Sequence, residues 1–387
     1  PLLRFKTRCL VHFAVDPDLV FMTTKLAGKS TFFLPFNKGR NHGAGNPDNP
    51  TGYKTAYLWE EVWAKDRWLD ILARFVHFQR TVDRDGRVKE GIIFPRYHQL
   101  DAVSKVLADV RTKGVGHNYL IEHSAGSGKS NSIAWLAHRL SNLHDAADQP
   151  IFSSVIVITD RLVLDKQLQE TIYQFEHKQG VVQKIDSDST QLANALNSGV
   201  PIIISTIQKF SFILDKLAAS GSRRYAVVVD EAHTSQTGSS ATNLKKALAA
   251  TSLEGAEAAE VTDEEDTEDR ILKEIRSKGR QPNISFFAFT ATPKKKTVEL
   301  FGTTGADGVP RAFHLYAMRQ AIEEGFILDV LANYTTYSTY YRFEKAMDDD
   351  PEVDKSKAKR ALAQYASLHP HNLAQKAEVM IEHYRAH

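Results

Sequence analysis

Residues Tyr119–Ser130 read YLIEHSAGSGKS, an apolar strand pattern running into a glycine-rich turn that closes on Gly-Lys-Ser. Glycine tolerates positive φ, so Gly126 and Gly128 allow successive backbone N–H groups to point inward at a phosphate. The pattern predicts a helix starting near Gly128 with the amphipathic stretch Ser132–Leu140 as its body, and its positive end falls at the same spot. In that arrangement Ala125, Gly126, Ser127 and Gly128 form a cradle. Lys129 reaches the β and γ oxygens of a nucleoside triphosphate, and Ser130 ligates its Mg²⁺. The usual form of this motif begins with a glycine where this chain has His123. The glycines next to the phosphates are retained, so the chemistry is too.

Downstream, Ala226–His233 reads AVVVDEAH, a second buried strand ending in carboxylates. Asp230 is expected to serve the Mg²⁺ ion, and Glu231 to orient and deprotonate the attacking water. His233 is expected to couple the nucleotide to the rest of the protein. An acidic helix cap would account for the Asp-Glu pair but not for the whole run after four apolar residues. A second Gly-Lys-Ser, in LAGKS at Leu26–Ser30, has one glycine, no buried strand before it and a β-like TFF after it. It reads as a hairpin turn.

Three more buried strands end in hydroxyl or guanidinium groups: VIVITDRLVL at Val155–Leu164, IIISTIQKF at Ile202–Phe210 and FFAFTATP at Phe286–Pro293. The C-terminal ends of strands in open parallel sheets are where ligands bind. Thr159, Arg161, Ser205, Thr206, Thr290 and Thr292 are therefore candidates to hold nucleic-acid phosphates, which position a strand without reading its sequence.

Taken together, strand–glycine turn–helix, TDR, STIQ, DEAH and TAT resemble superfamily 2 helicases and translocases. Within that resemblance FPRYHQ at Phe94–Gln99 looks like the adenine-recognising element: Gln99 would bond the base edge, and Tyr97 or Phe94 would stack on the ring. The same residues read equally well as an ordinary helix start after Pro95. The likeness narrows on RCLVHFAVD at Arg8–Asp16, FMTTKLAGKSTFFLPFNKG at Phe21–Gly39, GAGNP at Gly43–Pro47, YLWEEVW at Tyr57–Trp63, FPRYHQLDAV, HSAGSGKSNSIAWLAHRL, DEAHTSQTG and MRQAIEEGFILDVL at Met318–Leu331. These resemble the restriction subunit of type I restriction-modification systems, in the right order along nearly the whole chain.

That resemblance implies an α/β fold: a RecA-like parallel sheet of the P-loop NTPase type, with an α+β nuclease-domain remnant before it and the start of a second RecA-like domain after it. The expected divisions are residues 1–80 for the nuclease part and connecting helix, 81–93 for a linker, 94–310 for the first motor domain and 311–387 for the second. It implies ATP and Mg²⁺ as cofactors and an ATP-driven subunit that pulls and cuts double-stranded DNA. Methyltransferase and specificity subunits would be its partners. Asp16-Pro17-Asp18 offers a Pro-Asp, but the nearest following triplet, Thr23-Thr24-Lys25, lacks the second carboxylate of such nucleases. The nuclease ligands are thus expected outside this chain, as are the arginines of the second motor domain, and the chain is expected to bind nucleotide and hydrolyse it poorly. Two other readings fit parts of the pattern: a DEAH RNA or DNA helicase, and a nucleotide-gated docking module for a methyltransferase.

Composition is consistent with these readings. Lys and Arg number 49 against 47 Asp and Glu, so contact with DNA requires a local groove rather than a globally basic surface. One cysteine, Cys9, excludes a disulfide framework and suits a reducing cytoplasm. No apolar run is long enough to span a bilayer, and the 15 histidines show no metal-ligand spacing. Phe36–Tyr53 reads as a loop, Tyr57–Phe78 as helix and Arg80–Gly91 as a linker or hairpin. Trp59, Trp63 and Trp68 are expected to pack an interface. Glu254–Arg280 is an acidic surface insertion, and Met347–Lys359 a solvated stretch.

Overall fold

The computed structural model describes residues 9–82, 88–159, 162–175, 180–185, 189–206, 210–219, 223–230, 275–276, 281–305 and 307–329. Those up to Ile327 form one compact unit. Most of Glu254–Arg280, all of Met347–Lys359, and Arg161, Glu231 and His233 lie outside the described residues.

The first layer is antiparallel. β1 (His12–Val15), β2 (Val20–Thr23) and β3 (Leu34–Pro35) make a three-stranded sheet, with a 3₁₀ turn at Gly28–Ser30 between β2 and β3. The second Gly-Lys-Ser is therefore a hairpin connection, as its single glycine and flanking β pattern predict. A π-helical turn at Leu58–Val62 and α1 (Lys65–Arg74) follow. The expected helix through Phe78 ends early, because β4 (His77–Val82) pairs antiparallel with β5 (Val88–Ile93). The stretch read as linker or hairpin is a hairpin.

The second layer alternates helix and strand: α2 (Tyr97–Lys113), β6 (Asn118–His123), α3 (Lys129–Ser141), β7 (Ser154–Thr159), α4 (Leu162–Gln174), β8 (Val182–Lys184), α5 (Ser189–Asn197), β9 (Ile202–Thr206), α6 (Phe210–Ala219), β10 (Tyr225–Val229) and β11 (Ile284–Thr290). After α7 (Lys295–Phe301) and the short pair β12 (Thr303–Thr304) and β13 (Pro310–Arg311) come β14 (His314–Tyr316) and α8 (Met318–Glu323). Seven strands form one sheet in the order β14-β6-β11-β10-β7-β9-β8, every adjacent pair parallel.

Strands buried on both faces read as continuous apolar runs, and the period of two sorts their side chains between two cores. Tyr119, Ile121, Val155, Val157, Ile202, Ile204, Ala226, Val228, Phe287 and Phe289 join the core under α2, α3 and α4. Leu120, Ile156, Ile158, Ile203, Val227, Val229, Phe286 and Ala288 join the other, under α5 and α6. The first core also takes in Val20, Met22, Phe36, Tyr57, Leu58, Ile71 and Phe75, so the N-terminal layer and the parallel sheet share one hydrophobic interior. Trp68 packs on Phe94 and Trp63 on Phe13, both against the shared core, while Trp59 meets Tyr53 and stays 43% exposed.

β14 lies C-terminal to residue 310 yet adds to the first sheet, with Leu315 opposite Glu122 and Tyr316 opposite His123. Backbone pairing thus extends the parallel sheet past residue 310, to Tyr316. Among the described residues no helix is long and apolar enough to cross a membrane.

Candidate functional site

β6 ends at His123, and the chain turns through Ser124–Gly128 into α3. Gly126 and Gly128 have φ of +70° and +75°, the left-handed region where a side chain is strained. Space forbids one at Gly128 as well: a Cβ there would stand 2.6 Å from Gln99 Nε2 and 2.8 Å from Arg96 Nη2. No side chain caps α3, whose start has the form in which helix N-termini receive phosphates. Lys129 Nζ folds back along the turn, 3.4 Å from the carbonyl of His123. Ala125 and Gly126 are exposed, whereas Lys129 and Ser130 are half-buried in the turn's concave side.

Three side chains of FPRYHQ hold this turn from below. Gln99 Oε1 accepts the backbone N–H of Arg96 at 2.9 Å, and Gln99 Nε2 donates to the carbonyls of Ser127 (3.2 Å) and Gly128 (3.0 Å). Arg96 Nη2 donates to the Gly126 carbonyl at 2.9 Å, and His98 Nε2 lies 3.0 Å from the Ser127 carbonyl. The amide expected to bond a base edge is engaged here with the protein, because the P-loop carbonyls lie within its reach. Tyr97 and Phe94 are not placed to stack on a base either. They are 9% and 5% exposed and pack against Phe36, Tyr57 and Trp68. Gln99→Ala leaves two buried carbonyls and one N–H without these partners, and its unfolding free energy is expected to fall by about 1–3 kcal/mol, read from urea denaturation.

His123 belongs to a buried polar chain. Its Nε2 is 2.8 Å from His314 Nδ1, and His314 Nε2 is 3.1 Å from Asp101 Oδ2. Burial pushes the Asp101 carboxyl up, but hydrogen bonds from His314 and Lys105 outweigh it and hold the group below its ordinary value. His98 stacks on Tyr316 at 3.7 Å, and the Tyr316 hydroxyl donates to Glu324 at 2.6 Å. The position that usually carries a glycine thus carries an imidazole because β14 supplies a partner for it, and its backbone is not in the left-handed region.

Desolvation, reinforced by neighbouring cationic and imidazole groups, holds both His98 and His123 well below their ordinary value, so both are neutral when folded. The unfolded chain binds protons at these two positions below about pH 6.5 and the folded chain does not. Stability is complete above that pH and falls as the pH drops, by about 1.4 kcal/mol per unit for each histidine. The denaturation midpoint should therefore decrease steadily between pH 7 and pH 5.5, more steeply than in a His98→Gln variant.

The second half of the site comes from β10. Asp230 follows Val229, and its N–H bonds to the Ile158 carbonyl at 3.0 Å. β11 lies between β10 and β6. Strands are spaced about 4.8 Å apart, so the ends of β10 and β6 stand about 10 Å apart on one rim, a span that a triphosphate and its ion bridge. Ser130 and Asp230 are the described oxygen donors that a Mg²⁺ ion on such a phosphate would meet, and a hard cation takes oxygen ligands. Three buried polar atoms beside the turn, Arg96 Nη1, His123 Nδ1 and Ser127 Oγ, have no hydrogen-bond partner. Of these, the Arg96 guanidinium and the Ser127 hydroxyl can donate to an anionic ligand at the uncapped helix start. Among the described residues no cluster of three or more His, Cys, Asp or Glu is placed to hold a metal ion by itself.

A cavity of about 320 Å³ opens beside Arg96, Gln99 and Asn131, the last in the first turn of α3. Its far wall is Thr23, Thr24 and Phe32 of the N-terminal hairpin. No local pattern places this hairpin at the site.

The residues expected to hold nucleic-acid phosphates differ in exposure. Thr159, Ser205, Thr206 and Thr290 are 3%, 2%, 7% and 0% exposed, and Thr159 Oγ1 donates to the Ser205 carbonyl. They are buried at the ends of their strands, while Thr292 stands exposed two residues past β11.

A parallel sheet whose strand β6 runs through a two-glycine turn into an uncapped helix, with a carboxylate at the end of β10, defines a P-loop nucleotide-binding domain of the RecA-like kind. The chain belongs to the SWI2/SNF2 ATPase family, whose model matches residues 98–364. It is homologous to endonuclease subunits of type I restriction enzymes. It is 25% identical over 269 residues to the SauCOLORF180P subunit of Staphylococcus aureus (strain COL), covering 68% of this chain and 24% of that protein. With the SsaAORF53P subunit of Staphylococcus saprophyticus it shares 24% over 298 residues, 75% of this chain and 27% of the other. The chain thus spans about a quarter of the length of these curated relatives. Among solved structures it resembles the UvsW helicase of bacteriophage T4 (TM-score 0.35, 14% identity, 62% of this chain and 64% of that one). It also resembles a nuclease-deletion mutant of the type ISP restriction-modification enzyme LlaGI in complex with a DNA substrate mimic (TM-score 0.32, 13% identity, 70% and 24%).

Proposed function

We propose that this chain is the ATP-binding motor portion of a type I restriction subunit, using Mg²⁺-ATP to move double-stranded DNA for cleavage by the whole enzyme. The observation that carries this reading is the turn His123–Ser130, fixed from below by Arg96, His98 and Gln99 and facing Asp230 on the same rim. In this reading the helix start and Lys129 bind the phosphates, and Ser130 and Asp230 hold the Mg²⁺ ion, which supplies charge neutralisation when bound. Glu231, next in sequence after Asp230, activates water, and His233 couples the site to the rest of the motor. The base lies in the cavity between Asn131 and the N-terminal hairpin, with Thr23 and Thr24 as hydrogen-bonding groups and Phe32 as a stacking surface. Thr292 and Arg161 contact the DNA backbone, while Thr159, Ser205, Thr206 and Thr290 brace the strand ends behind them. Methyltransferase and specificity subunits select the site, and the complex works in the cytoplasm.

The test is ATP turnover with linear duplex DNA, with single-stranded RNA and with neither, beside a Glu231→Gln variant. Duplex-specific stimulation lost in Glu231→Gln is the expected result. Stimulation by RNA alone would transfer the assignment to an RNA helicase. Turnover blind to nucleic acid, with methyltransferase binding that requires nucleotide, would favour a docking module.

A further inference from the structure

The N-terminal loop that reads as a plain connection contains a built joint with α8. Gly39 has φ of +85°, and a Cβ on it would stand 2.5 Å from Gln320 Oε1. A Cβ on Gly43 would run into the Glu323 carboxylate. The N–H of Ala44 donates to Glu323 Oε2 at 2.7 Å, and Arg319 holds the other carboxylate oxygen at 2.7 Å. Between these points Asn41 and His42 take left-handed φ of 50° and 63°, closing a tight turn in which Arg40 and Gly43 exchange both backbone hydrogen bonds. Left-handed backbone costs free energy for residues with a Cβ, and persists where the surroundings hold it. Here α8 is the surrounding that does so.

From α8 the chain proceeds to the nucleotide turn. The Phe326 carbonyl and Ile327 Cγ2 would each stand 3.1 Å from a Cβ at Gly126, so they form a wall against one side of that residue and leave its other side open. The Phe326 ring lies 4.2 Å from the Arg96 guanidinium, the group whose Nη2 bonds the Gly126 carbonyl. The Gly39–Ala44 loop, α8 and the Phe326–Ile327 wall are thus contiguous.

We propose that the Gly39–Ala44 loop, through Glu323 and Gln320, sets the position of the Phe326–Ile327 wall, and that Glu323 is thereby a positioning residue for the nucleotide turn. This rests on the nucleotide reading above. The joint places the N-terminal layer in mechanical series with the P-loop: moving the loop moves α8, and moving α8 shifts the surface against which Gly126 and Arg96 are braced. Coupling of this kind through packed elements typically amounts to a factor of about 3 to 30 in affinity.

The experiment titrates a fluorescent ATP analogue with Mg²⁺ into wild type, Lys129→Ala, Glu323→Ala, Gly39→Ala, Gln320→Ala and the Gly39→Ala/Gln320→Ala double variant, with melting temperature measured without nucleotide. Glu323→Ala should weaken binding about threefold to thirtyfold at an unchanged melting temperature. Gly39→Ala should weaken it too, and adding Gln320→Ala should restore part of the loss, because the side chain met by the new Cβ is gone. Wild-type affinity in Glu323→Ala, or strictly additive effects of Gly39→Ala and Gln320→Ala, would overturn the proposal while leaving the nucleotide site standing. Binding by wild type that Lys129→Ala does not weaken would overturn the nucleotide reading and this inference with it.

Discussion

Lys129→Ala is expected to raise the dissociation constant for Mg²⁺-ATP about tenfold to a hundredfold, since a charge-assisted contact to phosphate contributes about 1.5–3 kcal/mol. Folding should be almost untouched. Lys129 is half-buried, and its ammonium contacts the His123 carbonyl at the long distance of 3.4 Å, an interaction water can replace. Isothermal titration measures the affinity, and circular dichroism melting shows that the fold is retained. The reason for the size of the effect lies in the turn itself. Its backbone is fixed by glycine conformations and by Arg96, His98 and Gln99, so in the proposed reading Lys129 adds its full positive charge to a turn already in place.

Trp135→Ala should give the largest loss of stability, about 3–5 kcal/mol, the range for truncating a large buried aromatic. Trp135 is 1% exposed on α3, packs against Phe75 and Phe175, and donates its indole N–H to the Phe75 carbonyl at 3.0 Å. Phe75 ends α1 in the N-terminal layer, while Phe175 follows α4 against the parallel sheet. One side chain therefore ties both layers to the helix that begins at the nucleotide turn. A single cooperative urea transition, shifted to lower concentration in the variant, is the expected outcome. Two separate transitions in wild type would mean that the layers do not share a core.

The parallel sheet was legible because strands buried on both faces leave uninterrupted apolar runs. The ends of β6, β7, β9, β10 and β11 fall within a few residues of where Val, Ile and Phe give way to Ser, Thr, Asp and His. The glycine turn was legible for the same local reason. What could not be read was which polar groups meet across the chain. Gln99 has the chemistry of a base-reading amide, and nothing local shows that the Ser127 and Gly128 carbonyls lie within its reach. Thr159 and Thr290 have the chemistry of strand-end ligands, and their burial comes from packing that no local pattern records. β14 has three residues, too short for any periodicity, yet its pairing with β6 supplies His314 and Tyr316 and explains His123. The approach of Thr23 and Phe32 to the site depends on contacts about a hundred residues apart in sequence, between the antiparallel layer and α3. No local pattern encodes that distance.

The most direct test of the central claim is backbone hydrogen–deuterium exchange of this chain with and without a slowly hydrolysed ATP analogue and Mg²⁺. Slowed exchange in Ser124–Ser132 and at Asp230, with smaller protection at Thr23–Phe32, is the predicted result. Equal exchange across Ser124–Ser132 at saturating analogue, or protection confined to segments away from it, would contradict the account.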